Sequence, residues 1–269
     1  MADLRRLDAE LVRRGLARSR AQAGELVGAG RVHVAGRTAT KAATQVDPAA
    51  AIVVRPDPRD GPGYVSRGAR KLAGALDVFS ASGLEVTGRR CLDAGASTGG
   101  FTDVLLRRGA PHVVAVDVGY GQLAWVLQTD PRVTVVDRMN VRELTLQALG
   151  EPVDLVVADL SFISLCRVLG PLHAVTRPGG DLVVMVKPQF EVGRERLGAG
   201  GVVRDPASRA DAVRQVAAAA LDDGLGCRAV TASPLPGPSG NVEYFLWLVD
   251  GAPALDEAAL ARAVADGPA

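Results

Sequence analysis

The chain has 269 residues, of which 48% are hydrophobic and 23% charged, with 31 Lys and Arg against 30 Asp and Glu. This length predicts one large domain or two unequal ones, and the composition excludes a disordered chain. No apolar run approaches the roughly 18 residues of a membrane-spanning helix, so we expect no membrane span. The N-terminus is charged from Asp3 onward and lacks the apolar region of a secretory signal, so we expect a cytoplasmic protein.

Cysteine and histidine are too scattered to predict a metal site or a disulfide framework. The chain has three of each, and no two cysteines are spaced as CxxC. We therefore expect no metal and a reducing environment. The six residues are Cys91, Cys166, Cys227, His33, His112 and His173.

The near-neutral net charge hides an uneven distribution. Residues 1–70 carry 13 Lys and Arg against 7 Asp and Glu, whereas residues 71–269 carry 18 against 23. A small basic part of this kind is typical of a nucleic-acid-binding module, although Arg-rich helices with solvated faces give the same balance. Among 28 Arg there are only three lysines, Lys41, Lys71 and Lys187. A position that stays Lys in such a chain points to a need for a compact ammonium group.

The basic part begins with two short helices and a hairpin. Apolar residues at helical spacing predict a helix over residues 4–14, and a capping box at Ser19 opens a second helix near residues 20–29. The alternation in RVHVAGRTA, which turns at Gly36, predicts the hairpin. Over about residues 3–60, and above all in RSRAQAGELVGAGRVHVAGRTA, the chain resembles the RNA-binding domain first described in a small-subunit ribosomal protein.

That resemblance implies a small α+β module that grips structured RNA through its backbone. From the second part of the chain we add Arg67 and Phe190, whose ring would stack on an extruded base or pack in the core. The predicted RNA-binding residues are Arg5, Arg6, Arg13, Arg14, Arg18, Arg20, Arg31, Arg37, Lys41, Arg67 and Phe190.

Residues 55–63 contain three prolines and two glycines, which predicts a linker between a domain of residues 1–60 and a second of residues 61–269. In the second domain strands alternate with helices, which predicts an α/β fold with a parallel sheet. The predicted strands lie at 90–94, 112–117, 132–136, 153–158, 181–187, 226–232 and 242–249. The predicted helices lie near 100–109, 120–128, 142–149, 164–175 and 206–222.

A glycine-rich turn, CLDAGASTGGF, follows the first of these strands. Such a turn lets a ligand approach the backbone closely. The middle glycine of a dinucleotide fingerprint is missing, and no G-K-[ST] ends the turn as in a phosphate-binding loop. The remaining pattern, D-x-G-x-x-x-G-G, is typical of methyltransferases, although a turn that only shapes the corner would look the same. We therefore predict a Rossmann-like sheet that binds S-adenosylmethionine.

Carboxylates end the next two strands. Asp117 stands 22 residues after Gly95, where a carboxylate accepts hydrogen bonds from ribose hydroxyls. Asp137 and Asn140 follow the third strand, where an adenine edge would be read, whereas Asp93 is expected to orient the turn. The predicted cofactor-binding residues are Asp93, Gly95, Ala96, Ser97, Gly99, Gly100, Phe101, Asp117, Asp137 and Asn140.

A lysine and a carboxylate end the fourth and fifth strands. Asp159 follows the fourth strand, where it would either serve a ligand or cap the next helix. Lys187 ends the apolar fifth strand, and burial of an ammonium there is costly without a partner, so we expect it to pair with Asp159. Lys71 lies on a helix that leads into the sheet, and Glu243 begins an apolar strand.

Together these four residues resemble the Lys-Asp-Lys-Glu tetrad of FtsJ-like ribose 2′-O-methyltransferases. With the basic module, nearly the whole chain is similar to the TlyA family of ribosomal RNA methyltransferases, also known as the hemolysin A family. The motifs that carry this resemblance are SRGARKLAGAL, DAGASTGGFTD, ADLSFIS, KPQFE, GGVVRDP and GNVEYF.

The family resemblance implies that Lys71, Asp159, Lys187 and Glu243 are catalytic and that the substrate is cytidine in small- or large-subunit ribosomal RNA. A ribose hydroxyl is a poor nucleophile until its proton leaves or is strongly hydrogen-bonded. Lys187 is the candidate for orienting or deprotonating it. The histidines are not needed for this chemistry.

Several alternatives stay open at this point. The chain would also suit an RNA-binding protein with an inactive methyltransferase domain, a base or protein methyltransferase, or a membrane-lysing protein. The sequence favours none of these, since the tetrad is intact, ADLSF stands where base methyltransferases carry N/D-P-P-Y/F, and no long amphipathic basic helix is present. Residues 191–205 predict a lid or a surface loop, and Tyr120 and Trp125 are expected to pack. Neither the nucleotide, the ribosomal subunit nor the oligomeric state follows from the sequence.

Overall fold

The computed structural model describes residues 4–17, 20–55 and 63–268. Contacts within the chain divide it into two compact units, Met1–Gly63 and Tyr64–Ala269. The predicted domain boundary between residues 60 and 61, and most of the predicted linker, lie outside the described residues.

The described residues of the first unit form two helices and five short strands. Its helices are α1 (Leu7–Arg13) and α2 (Arg20–Gly28), and its strands are β1 (Arg5–Arg6), β2 (Val32–Val34), β3 (Arg37–Thr38), β4 (Gln45–Val46) and β5 (Ile52–Val54). The predicted hairpin is the β2–β3 pair, and β5 pairs antiparallel with β2 on its other side. Leu7, Leu11, Ala23 and Val32 are fully buried, so α1 and α2 pack on this small sheet. The sequence did not predict β1, β4 or β5, because two- and three-residue strands carry too little alternation to be recognised.

Two buried carboxylates on α1 hold four arginines of this unit. Asp8 is 5% exposed and Glu10 is fully buried. The ion pairs are Arg6–Asp8 at 2.8 Å, Arg20–Asp8 at 3.0 Å, Arg13–Glu10 at 2.6 Å and Arg14–Glu10 at 2.7 Å. Hydrogen bonds from the arginines hold the pKa of Asp8 well below its usual range and lower the pKa of Glu10 to about 2. These four arginines therefore stabilise the unit itself.

The second unit is built on one seven-stranded sheet with the strand order β11-β12-β10-β9-β6-β7-β8. Strands β6 to β10 are parallel to their neighbours within that group, and β12 runs antiparallel between β10 and β11. The strands are β6 (Arg90–Ala94), β7 (His112–Asp117), β8 (Val133–Asp137), β9 (Val153–Ala158), β10 (Thr176–Val186), β11 (Leu225–Ala232) and β12 (Tyr244–Asp250). The predicted α/β sheet is confirmed.

Helices cover both faces of this sheet, and two apolar clusters lie between the sheet and the helices. The helices are α3 (Arg67–Ser80), α4 (Gly100–Arg107), α5 (Trp125–Gln128), α6 (Leu146–Leu149), α7 (Leu169–Ala174), α8 (Pro188–Glu191), α9 (Pro206–Asp222) and α10 (Glu257–Ala265). Short 3-10 turns lie at Val141–Glu143, Leu165–Arg167, Arg194–Arg196 and Ala199–Gly201. Four of the helices predicted for this unit are thus shorter than expected, and three of them begin several residues later, because loops occupy the carboxyl edge of the sheet. No helix in the described parts of the chain is long and apolar enough to cross a membrane.

The strand order reverses at β6, which has β7 on one side and β9 on the other. Connections leave such a strand in opposite directions, so a crevice opens beyond its carboxyl end. Gly95 begins the turn there with a φ of +87°, and a Cβ on it would lie 2.5 Å from the carbonyl oxygen of Asp159. Only glycine allows this turn to approach the end of β9 so closely.

Asp93, the last polar side chain of β6, is fully buried. One of its carboxylate oxygens accepts hydrogen bonds from the backbone N–H and the hydroxyl of Thr102 at 2.8 and 2.7 Å. Burial raises the pKa of Asp93 to about 7, because the charged form is poorly solvated there. Asp93 therefore ties β6 to the first turn of α4, as the sequence predicted.

Candidate active site

The carboxyl ends of β9 and β10 place Asp159 and Lys187 side by side. Val184 of β10 lies opposite Ala158 of β9, so both side chains follow directly from the same end of the sheet. The Lys187 Nζ lies 2.6 Å from Asp159 Oδ1, and Lys187 is 8% exposed. The pairing that the sequence led us to expect is present.

A second lysine–carboxylate pair lies at the same end of the sheet. Lys71 on α3 donates to Glu243 Oε2 at 2.5 Å, and both residues are buried. Glu243 directly precedes β12, and the register of Val186 with Tyr244 puts it next to the end of β10. The antiparallel strand therefore starts where the parallel strand ends, which brings Glu243 to the same edge as Lys187.

The amphipathic pattern of α3 explains how Lys71 reaches this edge. Ala69, Leu72, Leu76 and Phe79 recur at helical spacing and are all fully buried against the sheet. Lys71 stands on the same buried side, so its ammonium reaches Glu243 while its stem packs with the apolar face. A buried lysine in an otherwise apolar stripe needs a carboxylate partner, and Glu243 supplies it.

A cavity of about 740 Å³ opens beside these pairs. Asp159 lines it, whereas Lys71, Lys187 and Glu243 lie outside its lining. Its walls come from the glycine turn and from the loops after β7, β8 and β9. The lining residues are Gly95, Ser97, Asp117, Val118, Gln122, Met139, Asn140, Val141, Arg142, Asp159, Leu160, Ser161, Phe162, Ile163, Ser164, Arg167, Val168 and Phe190.

Asp117 joins the glycine turn to the loop after β7. Its Oδ2 accepts from the backbone N–H of Ser97 at 2.8 Å, and its Oδ1 accepts from Gly119 at 2.7 Å. Ser97 has a φ of +47°, so this hydrogen bond holds a turn conformation that side-chain-bearing residues rarely adopt. Each carboxylate oxygen keeps a second lone pair for a ligand hydroxyl.

The two polar residues predicted after β8 differ in position. Asn140 lines the cavity, and its Oδ1 accepts from the backbone N–H of Arg142 at 3.1 Å. Asp137 does not line the cavity, and its carboxylate accepts from the backbone N–H of Gly121 at 2.8 Å. The structure therefore gives no support to the prediction that Asp137 reads an adenine edge, and it shows that this side chain joins the loops after β7 and β8.

Five other predicted cofactor residues also lie outside the cavity lining, namely Asp93, Ala96, Gly99, Gly100 and Phe101. The Phe101 ring is buried in the core with its centre 6.1 Å from that of Phe245, so the structure does not support a cofactor contact from this ring. A Cβ on Gly99 would lie 2.9 Å from Leu123, and one on Gly100 would lie 2.9 Å from the backbone nitrogen of Ala69. These residues allow α4 to pack closely, and any contact they make with a ligand must come from the backbone.

The loop after β9 contributes side chains that the sequence analysis missed. The Ser161 hydroxyl accepts from Lys187 Nζ at 2.8 Å, and Phe162 is 91% exposed with a φ of +64°. The ring of Phe162 lies 5.2 Å from that of Phe190, which is half-buried in the cavity wall. The motif ADLSFIS held the signal, since it places Ser161 and Phe162 directly after Asp159 and Leu160 at the end of β9.

The prediction that Tyr120 and Trp125 pack in the interior is wrong. Tyr120 is 70% exposed and Trp125 is 75% exposed on the segment that follows β7. The guanidinium of Arg138 lies 4.3 Å from the centre of the Tyr120 ring. The neighbouring loops are joined through their backbones, because Arg138 donates to the carbonyl of Gly119 at 2.9 Å.

The predicted lid segment 191–205 is anchored at one end by Asn241. This side chain is 3% exposed, accepts from the backbone N–H of Val203 at 2.9 Å and donates to the carbonyl of Gly201 at 3.1 Å. The contact joins the motifs GGVVRDP and GNVEYF, and the second of these carries Glu243. Movement of this segment over a substrate stays a prediction. The described residues contain no group of three or more side chains that would hold a metal ion.

The basic residues predicted to bind RNA fall into different environments. Arg18 lies outside the described residues, and Arg31 donates to the carbonyl of Arg55 at 2.9 Å. The arginines that pair with Asp8 and Glu10 stabilise the first unit. Their contacts with RNA stay a prediction. The exposed residues of the predicted set are Arg5, Arg6, Arg13, Arg20, Arg37, Lys41 and Arg67, and of these Arg6, Arg13 and Arg20 are paired with Asp8 or Glu10.

Two family models match the chain. The FtsJ-like methyltransferase model matches residues 64–249, and the S4 domain model matches residues 5–52. The first match covers well over half of the chain and includes the glycine turn, both lysine–carboxylate pairs and the cavity.

Known relatives extend the match to the full length. The chain is 58% identical over 273 aligned positions to the 16S/23S rRNA (cytidine-2′-O)-methyltransferase TlyA of Mycobacterium tuberculosis, with 100% of both chains covered. It is 34% identical to Hemolysin A of Brachyspira hyodysenteriae, with 89% of this chain and 97% of the relative covered. A solved structure of a candidate hemolysin from Streptococcus thermophilus matches with a TM-score of 0.78 and 36% identity, over 98% of this chain and 96% of that chain.

These matches agree with the geometry of the second unit and with the charge of the first. The resemblance expected from the sequence motifs is confirmed, and so is the assignment as a methyltransferase. The chain belongs to the FtsJ-like methyltransferase family and, within it, to the group of TlyA proteins that carry an N-terminal S4 domain.

Proposed function

We propose that the chain transfers a methyl group from S-adenosylmethionine to the ribose 2′-hydroxyl of cytidine in ribosomal RNA. The observation that carries this proposal is the pair of lysine–carboxylate contacts beside the cavity, Lys187–Asp159 and Lys71–Glu243. The name of the Mycobacterium tuberculosis relative supports both the reaction and the nucleotide.

The residues that line the cavity support S-adenosylmethionine as the cofactor. Asp117 supplies a carboxylate at the tip of β7, next to a glycine turn that lets a ligand approach the backbone. Met139, Val141 and Ile163 supply apolar surface for a flat purine ring. We propose that Gly95, Ser97, Asp117 and Asn140 hold the cofactor, and when bound it supplies an electrophilic methyl group on a sulfonium centre.

Lys187 is the group that we assign to the hydroxyl proton. Its Nζ lies at the edge of the cavity, in contact with Asp159 and Ser161, which both line the cavity. A neutral lysine would accept the 2′-hydroxyl proton at Nζ, and a charged one would hold the oxygen by donating to it. Either action makes the oxygen available for attack. Asp159 fixes the position of Nζ.

Lys71 and Glu243 form the second ion pair of the proposed catalytic tetrad. The Lys71 ammonium carries a positive charge at this end of the sheet. Glu243 compensates the cost of burying it. We propose that this pair sets the electrostatic environment of Lys187, so that all four residues act on one hydroxyl.

We propose that residues 1–60 bind RNA and that residues 61–269 carry out catalysis. The S4 domain match and the excess of basic residues support the first assignment. In the structure, Arg5, Arg37 and Lys41 are exposed on the first unit, and none makes an ion pair with a described residue. Such side chains are available for phosphate groups.

The reaction and the role of Lys187 are tested together. Separate 30S and 50S subunits are incubated with labelled S-adenosylmethionine and the chain, and modified nucleosides are identified by mass spectrometry. We expect the methyl group on the ribose oxygen of cytidine, and Lys187→Ala lowers the rate by a hundredfold or more, about the value of a general base. If Lys187 is the base, Lys187→Arg is nearly as slow, because arginine stays protonated.

Other outcomes would contradict this account. Methyl groups on a base or on a ribosomal protein would overturn the ribose assignment. Wild-type turnover in Lys187→Ala would remove the tetrad from the mechanism, whereas partial activity in Lys187→Arg would assign Lys187 to charge stabilisation. Circular dichroism of each variant checks that the fold is kept.

The cofactor assignment is tested with Asp117→Ala. We expect the affinity for S-adenosylmethionine, measured by calorimetry, to weaken by about 1–3 kcal/mol, the cost of leaving ligand hydroxyls without an acceptor. Asp137→Ala is the matched control, because Asp137 also bonds the loop after β7 but does not line the cavity. Equal losses in both variants would show that only loop structure matters.

The proposed RNA-binding role of the first unit is tested with the double substitution Arg37→Ala and Lys41→Ala. We expect weaker binding to ribosomal subunits and a slope of log affinity against log salt that falls by about 2, since about one counterion is released per phosphate contact. The affinity for S-adenosylmethionine stays the same. Arg214→Ala is the control, because Arg214 is exposed on α9 and pairs with Asp211 and Glu257. An unchanged slope in the double variant would show that these two side chains do not contact phosphate groups of the RNA.

A further inference from the structure

We propose that Ser161 is a positioning residue for Lys187. Its hydroxyl sets the direction of the lysine head group while the Asp159 carboxylate holds its charge, so that a remaining direction around Nζ is left for the ribose oxygen. The inference rests on the proposed function, because it concerns how the same lysine meets its substrate.

Two polar side chains contact Lys187 Nζ, those of Asp159 and Ser161. An ammonium group has three N–H donors. One of them donates to Ser161 Oγ at 2.8 Å, which is the hydrogen bond of this head group. Asp159 Oδ1 lies 2.6 Å from Nζ as an ion-pair partner whose geometry is not that of a hydrogen bond. Ser161 is thus the group that sets the direction of an N–H bond of Lys187, while Asp159 holds its charge.

Ser161 also forms part of the cavity wall. It is exposed and lines the cavity, whereas Lys187 is buried and does not. The hydroxyl is thus the polar group that contacts the lysine and the cavity at once, together with the Asp159 carboxylate. The charged groups around Lys187 at this end of the sheet are Asp159 from β9, Lys71 from α3 and Glu243 before β12.

The loop that carries Ser161 is held at both ends by the segment after β10. At the far end, Glu191 accepts from the Ser164 hydroxyl at 2.6 Å and from the backbone N–H of Leu165 at 2.9 Å. Glu191 is buried, and burial raises its pKa. Lys187 and Glu191 are four residues apart, so one short segment after β10 contacts the loop on both sides of Phe162.

Backbone strain also indicates that the loop that carries Ser161 is held in one conformation. Phe162 has a φ of +64°, which is costly for an aromatic residue and persists only where the surroundings enforce it. The contact with Phe190, at 5.2 Å between ring centres, is one such restraint. The strained residue directly follows Ser161, so the restraint acts on the same loop that carries Ser161.

Fixing the head group matters because lysine has a long and flexible stem. The charge of Asp159 alone would leave the N–H bonds of Nζ free to rotate, and the hydrogen bond to Ser161 limits that freedom. Correct orientation of reacting groups is worth orders of magnitude in rate. Ser161 is therefore expected to affect the rate of transfer and not the binding of the cofactor.

The first test measures proton exchange at Lys187 Nζ and does not depend on methyl transfer. The chain has three lysines, so nitrogen-15 labelling of lysine side chains gives few signals, and Lys187→Arg assigns one of them. We expect Ser161→Ala to speed the exchange of the Lys187 Nζ protons with water by about threefold to tenfold, as for the loss of one net hydrogen bond. Ser161→Thr keeps a hydroxyl and restores slow exchange. Ser164→Ala removes a hydroxyl of the same loop that contacts Glu191 and leaves the Lys187 signal unchanged.

The second test measures single-turnover methylation of ribosomal subunits. We expect Ser161→Ala to lower the rate at least tenfold while the Kd for S-adenosylmethionine stays the same, and Ser161→Thr to recover most of the rate. An unchanged exchange rate in Ser161→Ala, or no slowly exchanging Lys187 signal in the wild type, would overturn the inference. A wild type that does not methylate ribose would instead overturn the proposed function, since the exchange measurement is independent of it.

Discussion

Two lysines and two carboxylates lie at the same end of a parallel sheet, and each lysine is buried with its partner within hydrogen-bonding distance. Removing one member of a buried ion pair costs about 3–5 kcal/mol, because the other charge is left without water and without a partner. Lys187 depends in this way on Asp159, and Lys71 depends on Glu243. The Lys187–Asp159 pair needs β9 and β10 in place, and the Lys71–Glu243 pair needs α3 and the start of β12, so all four elements must be in place before both pairs are formed.

This requirement explains features of the fold that are far apart in the sequence. The strand order places β9 and β10 next to each other, and antiparallel β12 brings Glu243 to the end at which β10 finishes. The positive φ of Gly95 lets the turn after β6 approach the carbonyl of Asp159. The cavity and the ion pairs therefore meet at Asp159, which belongs to both. That shared residue is the physical link between the proposed cofactor site and the proposed proton-transfer site.

Much of this arrangement could be predicted from the sequence, because it depends on local patterns. Apolar runs predicted the strands of the sheet, and the carboxylate or lysine after each run predicted which residues lie at its carboxyl edge. Lys187 was conspicuous because lysine is rare in this chain. The pairing with Asp159 followed from the cost of burying an ammonium group.

Other parts could not be predicted, because they depend on tertiary contacts. Nothing in the spacing shows that the Phe101 ring turns into the core or that Ser161 reaches Lys187 across two loops. The arginines of the first unit looked alike in the sequence. Buried Asp8 and Glu10 give ion-pair partners to Arg6, Arg13, Arg14 and Arg20, whereas Arg5 and Arg37 form no ion pair with a described residue.

The central claim is that the two ion pairs act on one hydroxyl as a unit. The most direct measurement is a double-mutant cycle on the single-turnover rate with Lys71→Met and Lys187→Met, which remove each charge and keep most of the stem. Residues that act as a unit are strongly non-additive, so the account predicts that the double variant is about as slow as the slower single variant. If the two rate losses multiply instead, the pairs act independently, and the account is contradicted.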